Sequence, residues 1–130
     1  MTLAAQTQPT HGYYQTRDNV LATRSAKSLE YEIISRITYR LGQAARIKKT
    51  DYPGLVAALH ENRRLWTVLA ADLMDPDNML PDDLRARLLY LAEFVSVHTG
   101  KVLSNSAKVK PLVDVNLAVL RGLKQPEETS

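Results

Sequence analysis

The chain has 130 residues, of which 45% are hydrophobic and 24% are charged. This length and balance predict one domain with an apolar core and argue against disorder throughout. Cysteine is absent, which excludes disulfides, thiolate metal sites and cysteine nucleophiles, and no apolar run approaches the roughly 20 residues that span a membrane.

The formal net charge of +3 is unevenly distributed along the sequence. Residues 1–50 carry eight Lys/Arg and three Asp/Glu, whereas residues 51–130 carry nine and eleven. A basic half can contact RNA or DNA, but here the basic residues are scattered rather than clustered. Nucleic-acid binding is therefore kept only as an alternative function.

Residues 1–12 have no periodicity and contain Pro9 and Gly12, so we expect a flexible tail. The tail has neither a basic start nor an apolar segment, so we do not expect it to be a signal peptide. The absence of cysteine fits a reducing cytoplasm. Tyr13 and Tyr14 then begin a short helix or extended arm. These two rings either attach the arm to the core or form part of a binding surface.

The first long helix is predicted to start between Ser25 and Ser28, with Ser28 as a possible N-cap. Basic residues after Arg46 lie near its C-terminal end, where they complement the helix dipole. Its apolar stripe consists of Leu29, Ile33, Ile37, Leu41 and Ala44.

A second helix is predicted over Leu55–Met74, since Asp51 or Thr50 can cap it and Pro53 suits its first turn. Its large residues recur at spacings of four and three, which keeps them on one side of a helix. They are Leu55, Leu59, Asn62, Trp66, Leu69 and Leu73. Asn62 is the one polar member of this stripe.

A break at Asp75–Asn78 separates this helix from a third, which starts at Pro81 with acidic residues in its first turn. The third helix repeats the same spacing, and we expect it to lie at the centre of the fold beside Trp66. Its stripe consists of Leu84, Leu88, Leu91, Val95, His98 and Val102.

Pro111 opens a last helix, and residues 125–130 form a polar tail. The stripe of this helix consists of Leu112, Val115 or Asn116, Val119, Leu120 and Leu123. No segment alternates as a strand does. The predicted fold is therefore all-α: a single helical domain over residues 13–124 with about four main helices and a short N-terminal helix or arm.

The polar residues within the apolar stripes leave two possibilities open. Asn62 and His98 either meet each other in the core or each bind a neighbouring backbone group. Arg63 and Arg64 are expected to lie toward solvent, where one of them can stack on an aromatic ring or pair with a nearby carboxylate.

No catalytic or metal-binding motif is evident in this sequence. His60-Glu61 resembles the start of a zinc-protease helix, but position 64 is Arg where the second histidine would stand. The three histidines are far apart in sequence, and there is no glycine-rich phosphate loop. We therefore predict a protein that is not an enzyme and that has no cofactor and no metal ion.

An ordered set of short motifs resembles the FlaF family of flagellar biosynthesis proteins of alphaproteobacteria. The resemblance runs from about Tyr13 to Leu123. The motifs that carry it are Ala58-Leu-His-Glu-Asn-Arg-Arg-Leu-Trp66, Leu69, Asp72, Asp77-Asn-Met-Leu-Pro81, Leu84-Arg-Ala86, Phe94-Val95, His98-Thr99, Asp114-Val-Asn116 and Gly122-Leu123.

The resemblance implies a cytoplasmic regulator that promotes flagellin synthesis and secretion by binding flagellin as a chaperone. Such proteins act opposite FlbT, a protein linked to flagellin messenger RNA. The family has no established catalytic residues. The alternative is a post-transcriptional regulator that contacts flagellin mRNA through a basic face.

These hypotheses assign two sets of residues, and no oligomeric state is predicted. We expect the partner to be bound by Tyr13, Tyr14, Arg63, Arg64 and Trp66, although the physics of Trp66 favours the core. We expect the core to contain the signature residues Leu59, Asn62, Leu69, Leu88, Leu91, Val95 and His98.

Overall fold

Four α-helices make up most of residues 30–124, the part of the chain that the computed structural model describes. Helix α1 covers residues 30–46, α2 covers Tyr52–Met74, α3 covers Asp82–Leu103 and α4 covers Lys110–Lys124. No strand occurs within this range, so the predicted all-α class is confirmed. The predicted arm at Tyr13, the start at Ser25–Ser28 and both tails lie outside the described residues.

The chain divides into two units, Met1–Glu32 and Ile33–Ser130. Only residues 30–32 of the first unit are described. All packing contacts considered below lie within the second unit.

Helix α2 begins where the sequence predicts. Asp51 is its N-cap and accepts a hydrogen bond from the Gly54 N–H at 3.0 Å, while Pro53 occupies the first turn. The cap satisfies one of the backbone donors that a helix start leaves without a partner. Glycine suits position 54, because a Cβ there would collide with the Asp51 carboxylate.

Helices α3 and α4 also start at the predicted prolines. Pro81 precedes α3, and Asp82 and Asp83 lie in its first turn. After α3 the chain reverses through Asn105, whose φ of 66° is left-handed, a conformation that asparagine tolerates better than most residues. Pro111 then lies in the first turn of α4.

The core forms mainly around α2, which contributes six buried side chains against four from α3. Leu41 from α1, Leu59 from α2, Val95 from α3 and Leu112 from α4 have no exposed surface. The remaining members of the main apolar cluster are Leu55, Ala58, Trp66, Ala92, Val102 and Val109. The predicted stripe of α2 is thus confirmed as the main core face of the domain.

The expectation that α3 lies at the centre of the fold is wrong for its first half. Leu84 is 36% exposed and Tyr90 is 72% exposed, and full burial begins only at Ala92. The reason is the length and position of α4, which has 15 residues against 22 in α3 and follows the C-terminal end of α3. A helix that short cannot cover the first turns of α3 at a rise of about 1.5 Å per residue.

Candidate partner-binding groove

A buried hydrogen-bond network joins three helices beneath the surface of α2. The indole Nε1–H of Trp66 donates to Asn116 Oδ1 at 2.8 Å. Asn116 Nδ2 donates to Asn62 Oδ1 at 2.7 Å and to Thr38 Oγ1 at 3.0 Å. Thr38 in turn donates to the Ile34 carbonyl at 2.6 Å. The network fixes α1, α2 and α4 relative to one another.

The indole determines the direction of every bond in this network. An indole N–H can only donate, so the Asn116 side chain must present its oxygen to Trp66 and its amide to Asn62 and Thr38. Asn62 must then turn its own oxygen toward Asn116. Its Nδ2, which is fully buried, has no hydrogen-bond partner among the described residues.

Both possibilities left open for Asn62 are wrong, whereas His98 follows the second and binds a backbone group. Asn62 binds Asn116 on α4 rather than His98. His98 is half-buried, stacks on Phe94 with ring centroids 5.1 Å apart, and places Nε2 2.7 Å from the Lys108 carbonyl. His98 therefore ties the end of α3 to the loop that leads into α4.

A groove of about 380 Å³ runs between α2 and α3 on the outer side of Trp66. Arg63 lies near one end of it, with Glu93 and Ser96, and Met74 and Leu89 lie near the other end. Between these ends the lining is apolar apart from one threonine: Trp66, Thr67, Ala70, Ala71, Ala92 and Val95. The small alanines leave the space that larger side chains would fill.

Arg63 is held at its end of the groove by the backbone of α3. Its Nη2 donates to the Ser96 carbonyl at 3.1 Å, and its buried Nε has no partner among the described residues. None of the ion pairs found in residues 30–124 includes Arg63. The neighbouring Arg64 is exposed and does not line this groove.

The structure describes three of the five predicted contact residues. Tyr13 and Tyr14 lie outside the described residues. Arg63 and Trp66 share the α2–α3 groove, although Trp66 is only 3% exposed. Arg64 lies on the surface away from them.

The seven predicted core residues are buried to different degrees. Leu59, Asn62 and Val95 are completely buried. Leu69 and Leu91 are half-buried and pack against the main cluster. Leu88 and His98 are also half-buried. For Leu88 this follows from the short reach of α4 along α3.

A second groove, of about 510 Å³, lies between α1 and α2. Tyr39, Arg40 and Ile47 border it on the α1 side, and its floor includes Ala44, Ala57 and Ala58. Arg36, Tyr39, Arg40, Gln43 and Arg46 share one exposed face of α1, hereafter the basic face. Arg40 pairs with Glu61, while Arg36 and Arg46 form no ion pair within the described residues.

Comparison with known proteins gives one finding. A family model described as "Flagellar protein FlaF" matches residues 10–123. The chain belongs to the FlaF family. The family resemblance inferred from the ordered motifs is therefore confirmed, and the chain is a flagellar protein. No curated protein and no solved structure matches the chain significantly.

Two polar core residues of this FlaF protein escape prediction from sequence. Thr38 and Thr99 are buried, and each donates to the carbonyl four residues earlier on its own helix. The sequence signal that could have identified them is their position on the apolar faces of α1 and α3. Asn116 did appear as a candidate stripe position, but nothing in the sequence marks it as the centre of the network.

The described part of this FlaF protein offers no group of three or more histidine and acidic side chains that could hold a metal ion. None of its helices in that part combines the length and apolar character needed to cross a membrane.

Proposed function

We propose that this FlaF protein promotes flagellin synthesis and secretion by binding flagellin in the cytoplasm, without catalysing a reaction. Membership of the FlaF family supports a flagellar role. The observation that carries the proposal is the α2–α3 groove, an open channel whose lining between its two ends is apolar apart from one threonine. In this function the protein acts opposite FlbT.

The groove suits a helical partner because it lies between two helices and is floored by small side chains. An amphipathic helix can lay its apolar face into such a groove, with anchor residues every three to four positions. Met74 is 66% exposed at the rim, and methionine adapts to partner surfaces through its flexible thioether. A flagellin helix held there is hidden from other flagellin molecules until it is exported.

Binding can be tested by calorimetric titration of the full chain with each cognate flagellin monomer. We expect a complex with a Kd at or below tens of micromolar. If no association is detected at those concentrations, the proposed function is wrong. Because Trp66 is the only tryptophan and lines the groove, a shift in its fluorescence gives a second readout.

The location of the site can be tested by making the same alanine-to-arginine substitution in each of the two grooves. Ala71 is exposed on α2 and lines the α2–α3 groove, while Ala57 is exposed on the same helix and lines the α1–α2 groove. Ala71→Arg should weaken flagellin binding at least tenfold, about 1.4 kcal/mol, because the new side chain fills the groove. Ala57→Arg should change the Kd less than twofold. The reverse result would assign the site to the α1–α2 groove.

Direct contact with flagellin mRNA is a second candidate function, supported by the basic face. Exposed cations interleaved with an exposed Tyr39, 68% accessible, resemble the cationic and aromatic surfaces that hold single-stranded RNA. Filter binding of the flagellin leader RNA at two salt concentrations tests it. Binding that falls as salt rises, and that is lost in Arg36→Glu/Arg46→Glu, would support this candidate. Absence of such binding would remove it.

A further inference from the structure

The two ends of the α2–α3 groove differ in charge. The groove ends at Met74, where the chain enters the turn before α3. From Asp72 to Arg85 the sequence carries five aspartates and one basic residue. These aspartates, hereafter the acidic turn, are all exposed: Asp72, Asp75, Asp77, Asp82 and Asp83.

Some of the acidic turn is already engaged by local structure. Asp75 accepts from the Asp77 N–H at 2.8 Å, and Asp82 pairs with Arg85 at 2.7 Å. The Asp77 and Asp83 carboxylates make no ion pair among the described residues. These two carboxylates can therefore contribute negative charge to the binding of a partner. Exposed apolar side chains lie in the same turn, and Met79 is 93% exposed.

The opposite end of the groove offers hydrogen-bond donors. Arg63 uses Nη2 for the Ser96 carbonyl, and the other Nη N–H groups of its guanidinium remain as donors for a partner. Its Nε–H is buried and lies out of a partner's reach. Glu93 also lines the groove at this end and offsets part of the charge of Arg63. A partner that supplies carbonyl or carboxylate oxygens to the guanidinium would satisfy these donors.

We infer that the groove binds one amphipathic flagellin helix in a single direction, with its N-terminal end at the acidic turn and its C-terminal end at Arg63. This inference rests on the proposed function. The N-terminal end of a helix carries partial positive charge and unsatisfied N–H groups, which suit aspartates. The C-terminal end carries unsatisfied carbonyls, which suit arginine.

The same geometry specifies the bound segment. Arg63 and Met74 are eleven positions apart on α2, about 16 Å at the usual helical rise. The occupant is therefore a helix of about three turns, with an apolar stripe of three or four residues and Lys or Arg in or just before its first turn. It lies antiparallel to α2, because α2 runs from Arg63 toward Met74.

Three charge reversals test the contribution of the acidic turn. Asp77→Lys and Asp83→Lys change the turn. Asp114→Lys makes the same charge change on the exposed side of α4, where it also removes an exposed ion pair with Lys110. We expect the first two to raise the Kd for flagellin about three- to tenfold at low ionic strength, with a smaller effect at high salt. Asp114→Lys should change the Kd less than twofold, and all three variants should keep the melting temperature within a few degrees.

The direction of the helix can be read with nitroxide labels, because the chain has no native cysteine. In the complex with isotope-labelled flagellin, a label at Asp77→Cys should broaden resonances from the N-terminal turn of the bound segment. A label at Ser96→Cys should broaden those from its C-terminal turn. The opposite assignment would overturn the inferred direction.

The outcomes separate this inference from the proposed function. If the unmodified protein does not bind flagellin, the proposed function itself fails. If it binds flagellin and both turn variants bind as tightly as the unmodified protein, only the inference about the acidic turn and helix direction is overturned.

Discussion

Trp66 on α2 and Asn116 on α4 are joined by a buried hydrogen bond of 2.8 Å between residues that are 50 positions apart. This bond lies directly behind the α2–α3 groove, since Trp66 contributes to both. The wall of the proposed binding groove is therefore fixed from inside the core. The polar network restricts the rotation of α2 about its own axis. That rotation determines which side chains of α2 face a partner.

Asn116→Ala should lower the free energy of unfolding by about 3 kcal/mol. The substitution removes three hydrogen bonds and leaves the Trp66 N–H buried without an acceptor, which by itself costs about 1–3 kcal/mol. Asn62→Ala is the control, because Asn116 then keeps its bonds to Trp66 and Thr38, and it should cost less. Urea unfolding measures both, and equal losses would contradict a network centred on Asn116.

Trp66→Phe should cost about 1–2 kcal/mol, because it keeps an aromatic ring but leaves Asn116 Oδ1 without its donor. Trp66→Ala should cost about 3–5 kcal/mol, since it also opens a cavity. Circular dichroism is the appropriate probe, because neither variant contains tryptophan. A double-mutant cycle of Trp66→Phe with Asn116→Ala should give a coupling energy of about 1 kcal/mol or more, and strictly additive losses would argue against the bond.

Gly54→Ala should leave the free energy of unfolding nearly unchanged, because alanine's better helix propensity contributes about 1 kcal/mol and the loss of the α2 cap cancels it. The new Cβ displaces the Asp51 carboxylate and so removes the cap of α2, which is worth about 1 kcal/mol. In an Asp51→Ala background there is no cap to displace, and Gly54→Ala should then stabilise. Thermal unfolding of the four proteins measures both effects, and an equal stabilisation in both backgrounds would refute the explanation.

His98 should carry its proton on Nε2 whenever the ring is neutral, because Nε2 faces the Lys108 carbonyl and a carbonyl can only accept. Long-range nitrogen–proton correlation spectra report this tautomer directly. His98→Phe keeps the stacking on Phe94 but loses the hydrogen bond, and should cost about 1 kcal/mol. The exposed His60 is the control, and His60→Phe should change stability by less than 0.5 kcal/mol. An Nδ1–H tautomer at His98 would contradict the contact.

Much of the fold was predictable because it depends on interactions between residues that are close together in the sequence. The start of α2 at Asp51 and Pro53 follows from backbone geometry and capping within four residues. The stripe from Leu55 to Leu73 follows from the helical period, which depends only on spacing along the chain. The resemblance to the FlaF family rested on a different signal, the ordered set of short motifs, and the family match confirmed it.

The contents of the candidate site required contacts between distant segments. The sequence placed Asn62 and His98 in apolar stripes but could not show that one binds Asn116 and the other binds the Lys108 carbonyl. Arg63 was expected to reach solvent, whereas its guanidinium holds the Ser96 carbonyl at the end of a groove.

Sequence by itself determined the four helices, the starts of α2, α3 and α4, and most of their apolar faces, because capping and periodicity act within a few turns of one helix. The tertiary structure alone decided which polar side chains meet and where a groove remains open. Those outcomes depend on the rotation and axial position of each helix against its neighbours, and on the short reach of α4 along α3. Such quantities are set by packing among residues far apart in the chain, and no local pattern encodes them.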